Sequence, residues 1–368
     1  MSNKKIIQWH NQSLESLKNI LTIPMKKQGK YIWSKLTKAN GEFICFATSD
    51  DEAEYPNGGV HTDGFFYIRI SSTGQPIMFS YTGTYNFKTE IDKKTGGMAW
   101  ELKLLTSGIL IIDEVVTPYN DVFVVGGGGG GAGGSKGGAV GGGGGGYTLA
   151  KLNVKLQTKT ACEVIVGAGG RAGRANVSMD YGKEGGDGGR SSIMGFSAEG
   201  GKGSKGLDGG NGGSGGGAAG RSNWGGTELQ YSGAPGTGQK TTTRAFGEPS
   251  GTLYAGGGGG GGDSDEGADD RYNNLARGGD GGADGSSGSS AYIVAHGSTS
   301  IYGAGGGGGG GIGGQDQYKD GQPGTANTGS GGGGGGGYAY IGSSSNGGSG
   351  SNGGAGGSGI IILRGRYS

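Results

Sequence analysis

Asp121-Val122-Phe123-Val124-Val125 runs without a break into Gly126-Gly127-Gly128-Gly129-Gly130-Gly131, and a second run, Gly141 to Gly146, leads out again into Tyr147-Thr148-Leu149. The same junction of apolar segment and glycine run recurs at Gly256 to Gly262, Gly305 to Gly311 and Gly331 to Gly337. The chain closes on Gly359-Ile360-Ile361-Ile362-Leu363. Glycine loses more backbone freedom on folding than any other residue, so a region this rich in it either stays disordered or gains something only a bare Cα permits.

The spacing decides between these. Glycine falls at 200, 203, 206, 209, 212 and 215, and again at 347, 350, 353, 356 and 359. Three residues per turn is the period of the polyproline II helix, which has no internal hydrogen bonds. Such helices order only when neighbours take up their N–H and C=O groups, and a bare Cα lets those neighbours come close. A packed bundle of polyglycine II helices follows, with residues 200–217 expected as one rod of roughly 55 Å at about 3.1 Å per residue. On that rod Lys205 and Asp208 are expected to point to solvent. Collagen shares the period but needs far more proline and long unbroken triplets, whereas proline totals 7 of 368 residues here.

Composition places the boundary. Ten of the 100 glycines precede Gly126. Lys plus Arg number 31 against 30 Asp plus Glu, a balance that recommends neither nucleic acid nor an anionic membrane as partner. No apolar stretch approaches the roughly 20 residues of a membrane span. Met1-Ser2-Asn3-Lys4-Lys5-Ile6-Ile7-Gln8 lacks an apolar core of the secretory type, so synthesis in a cytoplasm without a signal peptide is expected. Cys45 and Cys162 sit in strand-like surroundings, where a buried free thiol is favoured over a disulfide.

Ahead of the glycine text, Ile7, Leu14, Leu17 and Leu21 lie on one face of a helix that ends before Pro24. That helix serves either attachment or oligomerisation, or else lies against its own domain. Between Tyr31 and Tyr119 the text is β, with turn signals at Asn40-Gly41, Pro56-Asn57-Gly58-Gly59 and Thr73-Gly74. The expected fold is mainly β with a polyglycine II bundle. It divides into an N-terminal helix and attachment segment (1–28), a small antiparallel β module (29–101) and a glycine-rich domain of strands, glycine helices and recognition loops (102–368).

Two resemblances bear on function. Tyr31-Ile32-Trp33-Ser34-Lys35, Gly41-Glu42-Phe43-Ile44, Tyr55-Pro56-Asn57-Gly58-Gly59 and Asp63-Gly64-Phe65-Phe66-Tyr67 resemble a module of tail-fibre and baseplate-associated proteins of phages and prophages of Gram-positive bacteria. Leu105-Thr106-Ser107-Gly108, Asp121 to Val125 with its glycine run, Val164-Ile165-Val166-Gly167 and the closing Gly359-Ile360-Ile361-Ile362 look like the glycine-rich domain common in phage tail fibres. The latter is similar in kind to the polyglycine II tip adhesins of T-even-like phages and to the glycine-rich domain of anaplastic lymphoma kinase receptors. The resemblance implies a non-enzymatic receptor-binding adhesin at the periphery of a virion tail or tail-like particle. Its expected partners are a bacterial surface glycan or protein and other tail or baseplate proteins through the N-terminal region. A homotrimer and a monomer both remain open, and a passive spacer or decoration protein is the alternative function.

Enzymatic and cofactor motifs fare poorly. The run after Val125 satisfies G-x-G-x-x-G trivially but is followed by no helix to hold a pyrophosphate, and no P-loop is present. His10, His61 and His296 are scattered, with no zinc spacing. Asp263, Asp265 and Asp269 form a weak calcium candidate without EF-hand spacing, and a solvated loop is the plainer reading. No cofactor is expected. Chemical variety is concentrated where the glycine text breaks, at Tyr181, Arg221, Trp224, Tyr231, Phe246, Arg271, Tyr272, Gln315 and Tyr318. Trp, Tyr and Arg most often carry binding energy, and loops on a rigid scaffold are where recognition sits. These are the expected receptor contacts; the plainer role for the aromatics is to cap the bundle ends.

Overall fold

The structure is a computed structural model that describes residues 77–91, 98–115, 117–135, 138–176, 182–222, 228–264, 274–295, 302–314, 319–338 and 350–367. It also describes four short strands before them, in which Thr37–Ala39 pairs with Glu42–Ile44 and Gly59–Val60 with Phe66–Tyr67. The expected helix before Pro24, and Cys45, lie outside the described residues.

Ten strands build a sandwich: β1 (Ile77–Tyr81), β2 (Tyr85–Ile91), β3 (Met98–Leu104), β4 (Gly108–Val115), β5 (Tyr119–Val125), β6 (Thr148–Lys151), β7 (Ala161–Ile165), β8 (Ser191–Ile193), β9 (Phe196–Ala198) and β10 (Ile360–Arg366). One sheet has the order β6-β5-β10-β3-β2 and the other β9-β8-β7-β4-β1, antiparallel throughout. Leu102, Leu104, Leu110, Ile112, Val122, Val124, Ile361 and Leu363 fill the space between them, each at most 1% exposed. Burying a side chain of this size contributes about 1.5–3 kcal/mol, so this core anchors the molecule.

Because β3 pairs with β10, and β1 with β4, residues 77–101 belong to this sandwich. A boundary at residue 101 would cut through β3. The expected boundary follows the resemblance that begins at Leu105, whereas cross-strand pairing carries the sandwich back to Ile77.

β5 and β10 are buried on both faces. On the outer face of their sheet, Phe123, Val125, Ile360 and Ile362 pack beneath Phe246, Tyr254 and Ala255. Phe123 lies 5.7 Å from the Phe246 ring and 5.5 Å from the Tyr254 ring, both tilted. Asp121 is fully buried and accepts 2.8 Å hydrogen bonds at Oδ2 from the Nε atoms of Arg364 and Arg366, while Oδ1 accepts from the Asn153 N–H at 2.9 Å. Arg364 also reaches Glu248 at 2.6 Å and lies over the Phe246 ring at 3.9 Å. This network ties the last strand to β5 and to the loop that covers the sheet.

From the sandwich the chain enters the glycine bundle, whose hydrogen bonds follow a strict rule of three. Gly126, Gly129 and Ala132 donate to Tyr147, Gly144 and Gly141; Gly127, Gly130 and Gly133 to Gly189, Gly186 and Lys183; Gly128, Gly131 and Gly134 to Gly357, Gly354 and Ser351, all at 2.8–3.3 Å. Partner numbers fall as donor numbers rise, so these three neighbours run antiparallel. The carbonyls of the same helix accept from three parallel neighbours: Gly201 and Ser204, Gly170, Gly173 and Asn176, and Gly332 and Gly335. One glycine helix thus has six partners, and residues 126–134 span about 28 Å at about 3.1 Å per residue. A Cβ at Gly129 would run into the Lys202 carbonyl, and one at Gly131 into that of Gly333.

The expected single rod over 200–217 does not form. An antiparallel bridge joins Lys205 to Asp208, Gly206 takes a φ of +55°, and the chain turns back on itself. It turns again near Ser214, since the Gly213 N–H donates to the Gly145 carbonyl, whereas the Gly217 carbonyl accepts from the Gly142 N–H. The triplet period survives a turn because glycine occupies the left-handed region without steric cost.

Two outcomes are expected. Gly129→Val, which breaks several bonds worth about 0.5–1.5 kcal/mol net each, should lower the thermal midpoint far more than Lys205→Val; equal midpoints would contradict the six-partner packing. Burial pushes the Asp121 carboxyl up, but the hydrogen bonds from Arg366, the Asn153 N–H and Arg364 outweigh it and hold it below the ordinary value. Its contribution is therefore present above the unfolded pKa of about 3.9 and lost as pH falls through the lower folded value. Asp121→Asn should cost about 3 kcal/mol at neutral pH and flatten the acid limb of a stability titration.

Candidate functional site

The bundle has a base, where strands pass directly into glycine (Val125 to Gly126, Ile165 to Gly167, Ala198 to Gly200, Gly359 to Ile360), and an apex about 28 Å away. Hydrogen bonds fix the level of each helix end. Asn176 bonds to Gly134, Ser351 to Gly336, Gly337 to Gly262, and Gly262 to Gly314. Asn176 and Gly182, Ser222 and Glu228, Ser264 and Asn274, Ala295 and Tyr302, Gly314 and Lys319, and Tyr338 and Gly350 therefore all flank connections at the apex. Ile77 is opposite Val115, and Arg366 opposite Tyr119, at the far pole of the sandwich. The chain thus enters and leaves the described domain at the pole farthest from those connections.

Three two-stranded ladders sit together at the apex: Gly220–Ser222 with Leu229–Ser232, Asn274–Arg277 with Tyr292–Ala295, and the parallel pair Asp263–Ser264 with Gly337–Tyr338. Tyr231 is 51% exposed and Tyr292 is 48% exposed. The Arg277 guanidinium lies 5.1 Å from the Tyr292 ring and is held by Asp280 at 2.8 Å. A half-exposed tyrosine carrying a fixed cation offers an apolar face beside a donor, which suits a ligand with both.

The expected contact residues separate into groups. Tyr231 lies at the apex with its ring exposed, and Arg221 is its cross-strand partner. Asp263 is in an apical strand. Tyr181, Trp224, Arg271, Tyr272, Gln315, Tyr318, Asp265 and Asp269 lie outside the described residues, within stretches whose flanks are apical. Phe246 is a correction: it is 5% exposed and packed at the base against Phe123, so its ring contacts the molecule's own sheet. An aromatic at a break in the glycine text reads the same whether it caps the bundle or faces outward. Arg277 and Tyr292 were missed; their signal is the pair of short strand-like segments Asn274–Arg277 and Tyr292–Ala295.

The bundle flank holds a cleft of about 610 Å³ lined by Glu184, Asp187, Lys202, Lys205, Asp208 and Asn211. Lys202 pairs with Asp187 at 2.8 Å and Lys205 with Glu184 at 3.7 Å. Burial raises the Asp187 carboxyl, but the bonds from Lys202 and the Gly203 N–H bring it below its usual range. Outer glycine helices lack a full ring of neighbours, and carboxylate and amide oxygens stand in for the missing carbonyls. Asp208 Oδ1 accepts from the Ala234 N–H, Asn211 Oδ1 from Thr237, Asp280 Oδ1 from Ala304 (each 2.8 Å), and Asp320 Oδ1 from Asn352 (2.7 Å). This amends the solvent-facing reading of Asp208, whose side chain is exposed but employed. Among the described residues no group of three or more His, Cys, Asp or Glu is arranged to hold a metal, and Cys162 is a free, half-buried thiol. No described helix is long and apolar enough to cross a membrane.

A glycine-rich domain family model matches residues 112–366, from within β4 to the end of β10. The chain belongs to the glycine-rich domain family. The match spans the whole bundle and seven complete or partial strands of the sandwich, while β1 to β3 precede it. No curated protein matches the chain. Within this glycine-rich domain, Asp208→Ala and Asn211→Ala should each cost about 1 kcal/mol by leaving an N–H without its acceptor. Tyr231→Ala should stay within about 0.5 kcal/mol of the parent; thermal unfolding of the three variants measures the contrast.

Proposed function

We propose that this glycine-rich protein is a non-enzymatic adhesin of a phage tail or tail-like particle. In this reading it binds a bacterial surface receptor through the bundle apex and joins the particle through residues before Ile77. The observation that carries the reading is the polarity of the domain: Tyr231, Arg277, Tyr292 and the flanks of six connections are at one pole, and Ile77 is at the other. A rigid glycine platform supports it physically, because loops anchored on a stiff scaffold lose less freedom on binding. Arg221, Trp224, Arg271, Tyr272, Gln315, Tyr318 and Tyr181 are the further contacts in this proposal, and no cofactor or catalytic step is assigned. A passive spacer would share the stiffness but have no use for exposed apical aromatics.

Purified protein should compete with particles for adsorption to host cells. Tyr231→Ala or Tyr292→Ala should weaken that competition by about tenfold or more, as removal of a binding hot spot does, at an unchanged melting temperature. Full-length protein that neither competes nor binds cells would reject the adhesin in favour of the spacer.

A further inference from the structure

The two sheets treat their outer faces differently. One is covered by Phe246, Tyr254 and Ala255, but no described residue group closes over the outer face of the β4 and β7 sheet. Antiparallel strands with one wet face alternate apolar and polar residues, whereas strands buried on both faces read as continuous apolar runs. β4 contains Ile109-Leu110-Ile111-Ile112, and the chain through the end of β7 reads Val164-Ile165-Val166. Leu110, Ile112 and Val164 enter the core. Their alternates face outward: Ile109 is 41% exposed, Ile165 is 42% exposed, and Ile111 is half-buried beside exposed Ala161. The residues sharing this face include Asp113 and Glu163, both exposed, with Glu163 directly opposite Ile109.

We infer that residues 4–22 cover this face, with Ile7, Leu14, Leu17 and Leu21 seated over Ile109, Ile111 and Ile165. Three observations choose this occupant. The chain enters the sandwich at Ile77 on β1, the edge strand of this same sheet, so its preceding 76 residues begin their path there. Residues 4–22 carry a single apolar stripe at helical spacing, in which Ile7, Leu14, Leu17 and Leu21 fall within about 80° of arc and Ile6, Trp9 and Ile20 widen it on one side to about 160°. Their charge is complementary: Lys4, Lys5 and Lys18 against one acid, Glu15, with Lys18 bordering the stripe, facing a surface whose charged groups on β4 and β7 are the exposed Asp113, Glu114 and Glu163. This selects, from the two roles open to that helix, the one in which it lies on its own domain. Particle attachment then falls to residues 23–76, and the inference stands whether or not the protein is an adhesin.

Disulfide trapping in full-length protein with Cys45→Ala and Cys162→Ala tests it. Leu17→Cys with Ile109→Cys should form an intramolecular bridge under a mild oxidant, and Gln12→Cys with Ile109→Cys, on the opposite side of the helix, should not. Bridges between chains would overturn the inference in favour of a second copy as occupant; no bridge, or equal bridging by both pairs, would overturn it outright. Should the paired variants fold poorly, Ile109→Cys alone provides the readout. Adding Leu14→Glu and Leu17→Glu should raise its maleimide labelling rate about tenfold by uncovering the strand, and an unchanged rate would refute the docking.

Discussion

The interchain N–H···O=C bond between bare glycine backbones is what the bundle depends on. A polyproline II helix has no internal hydrogen bonds, so each buried peptide group must find a partner on another helix or bear the cost of desolvation, about 1–3 kcal/mol. Helix 126–134 meets that demand with six neighbours, donating to three and accepting from three. At each glycine of this helix a Cβ would meet a neighbouring carbonyl, and Ala132 is the one position that accommodates a side chain. The backbone thus takes over the role that apolar side chains play in an ordinary core, while among the described residues the apolar clusters lie between the two sheets and against the outer face of one.

Two boundary problems follow from this packing, and side chains solve both. At the base, strands feed glycine helices directly, so the register of the sandwich sets the register of the bundle; toward the opposite end of the same strands Asp121, Arg364 and Arg366 clamp the strand that closes it. On the flank, outer helices run out of neighbours. Asp187, Asp208, Asn211, Asp280 and Asp320 then supply acceptor oxygens to exposed N–H groups. Polar residues in the triplets therefore mark the bundle's edge as much as its solubility. Inside, Ser204 does related work: its hydroxyl donates to the Gly141 carbonyl and accepts from the Ala132 N–H, both at 2.6 Å.

Antiparallel threading also gives the domain its polarity. A glycine helix that leaves the sandwich must come back, and each return creates a connection at the apex. Ser135 pairs with Gly138 across the tightest of these. Tyr231, Tyr292 and Arg277 are on ladders at this end because the strands extend the bundle rather than the sandwich.

The mainly β fold, the glycine bundle and the three-residue period were legible in the chain itself, because a period of three and the scarcity of proline leave few other ways to satisfy so many backbone groups. The strands Glu42–Ile44 and Ile77–Tyr81 were legible from β-branched and aromatic runs between turn signals, though not which strands they pair with. Other features depend on contacts between residues far apart in sequence. The partition of 77–101 into the sandwich needed the pairing of β3 with a strand more than 250 residues later. The reversal at Gly206 is invisible in the text, since glycine adopts right- and left-handed backbone equally well. Phe246 and Tyr231 both interrupt glycine text, and only the tertiary structure sends one ring into the base and the other to the apex, because burial is decided by which surface lies opposite and not by the residue's own neighbours in the chain.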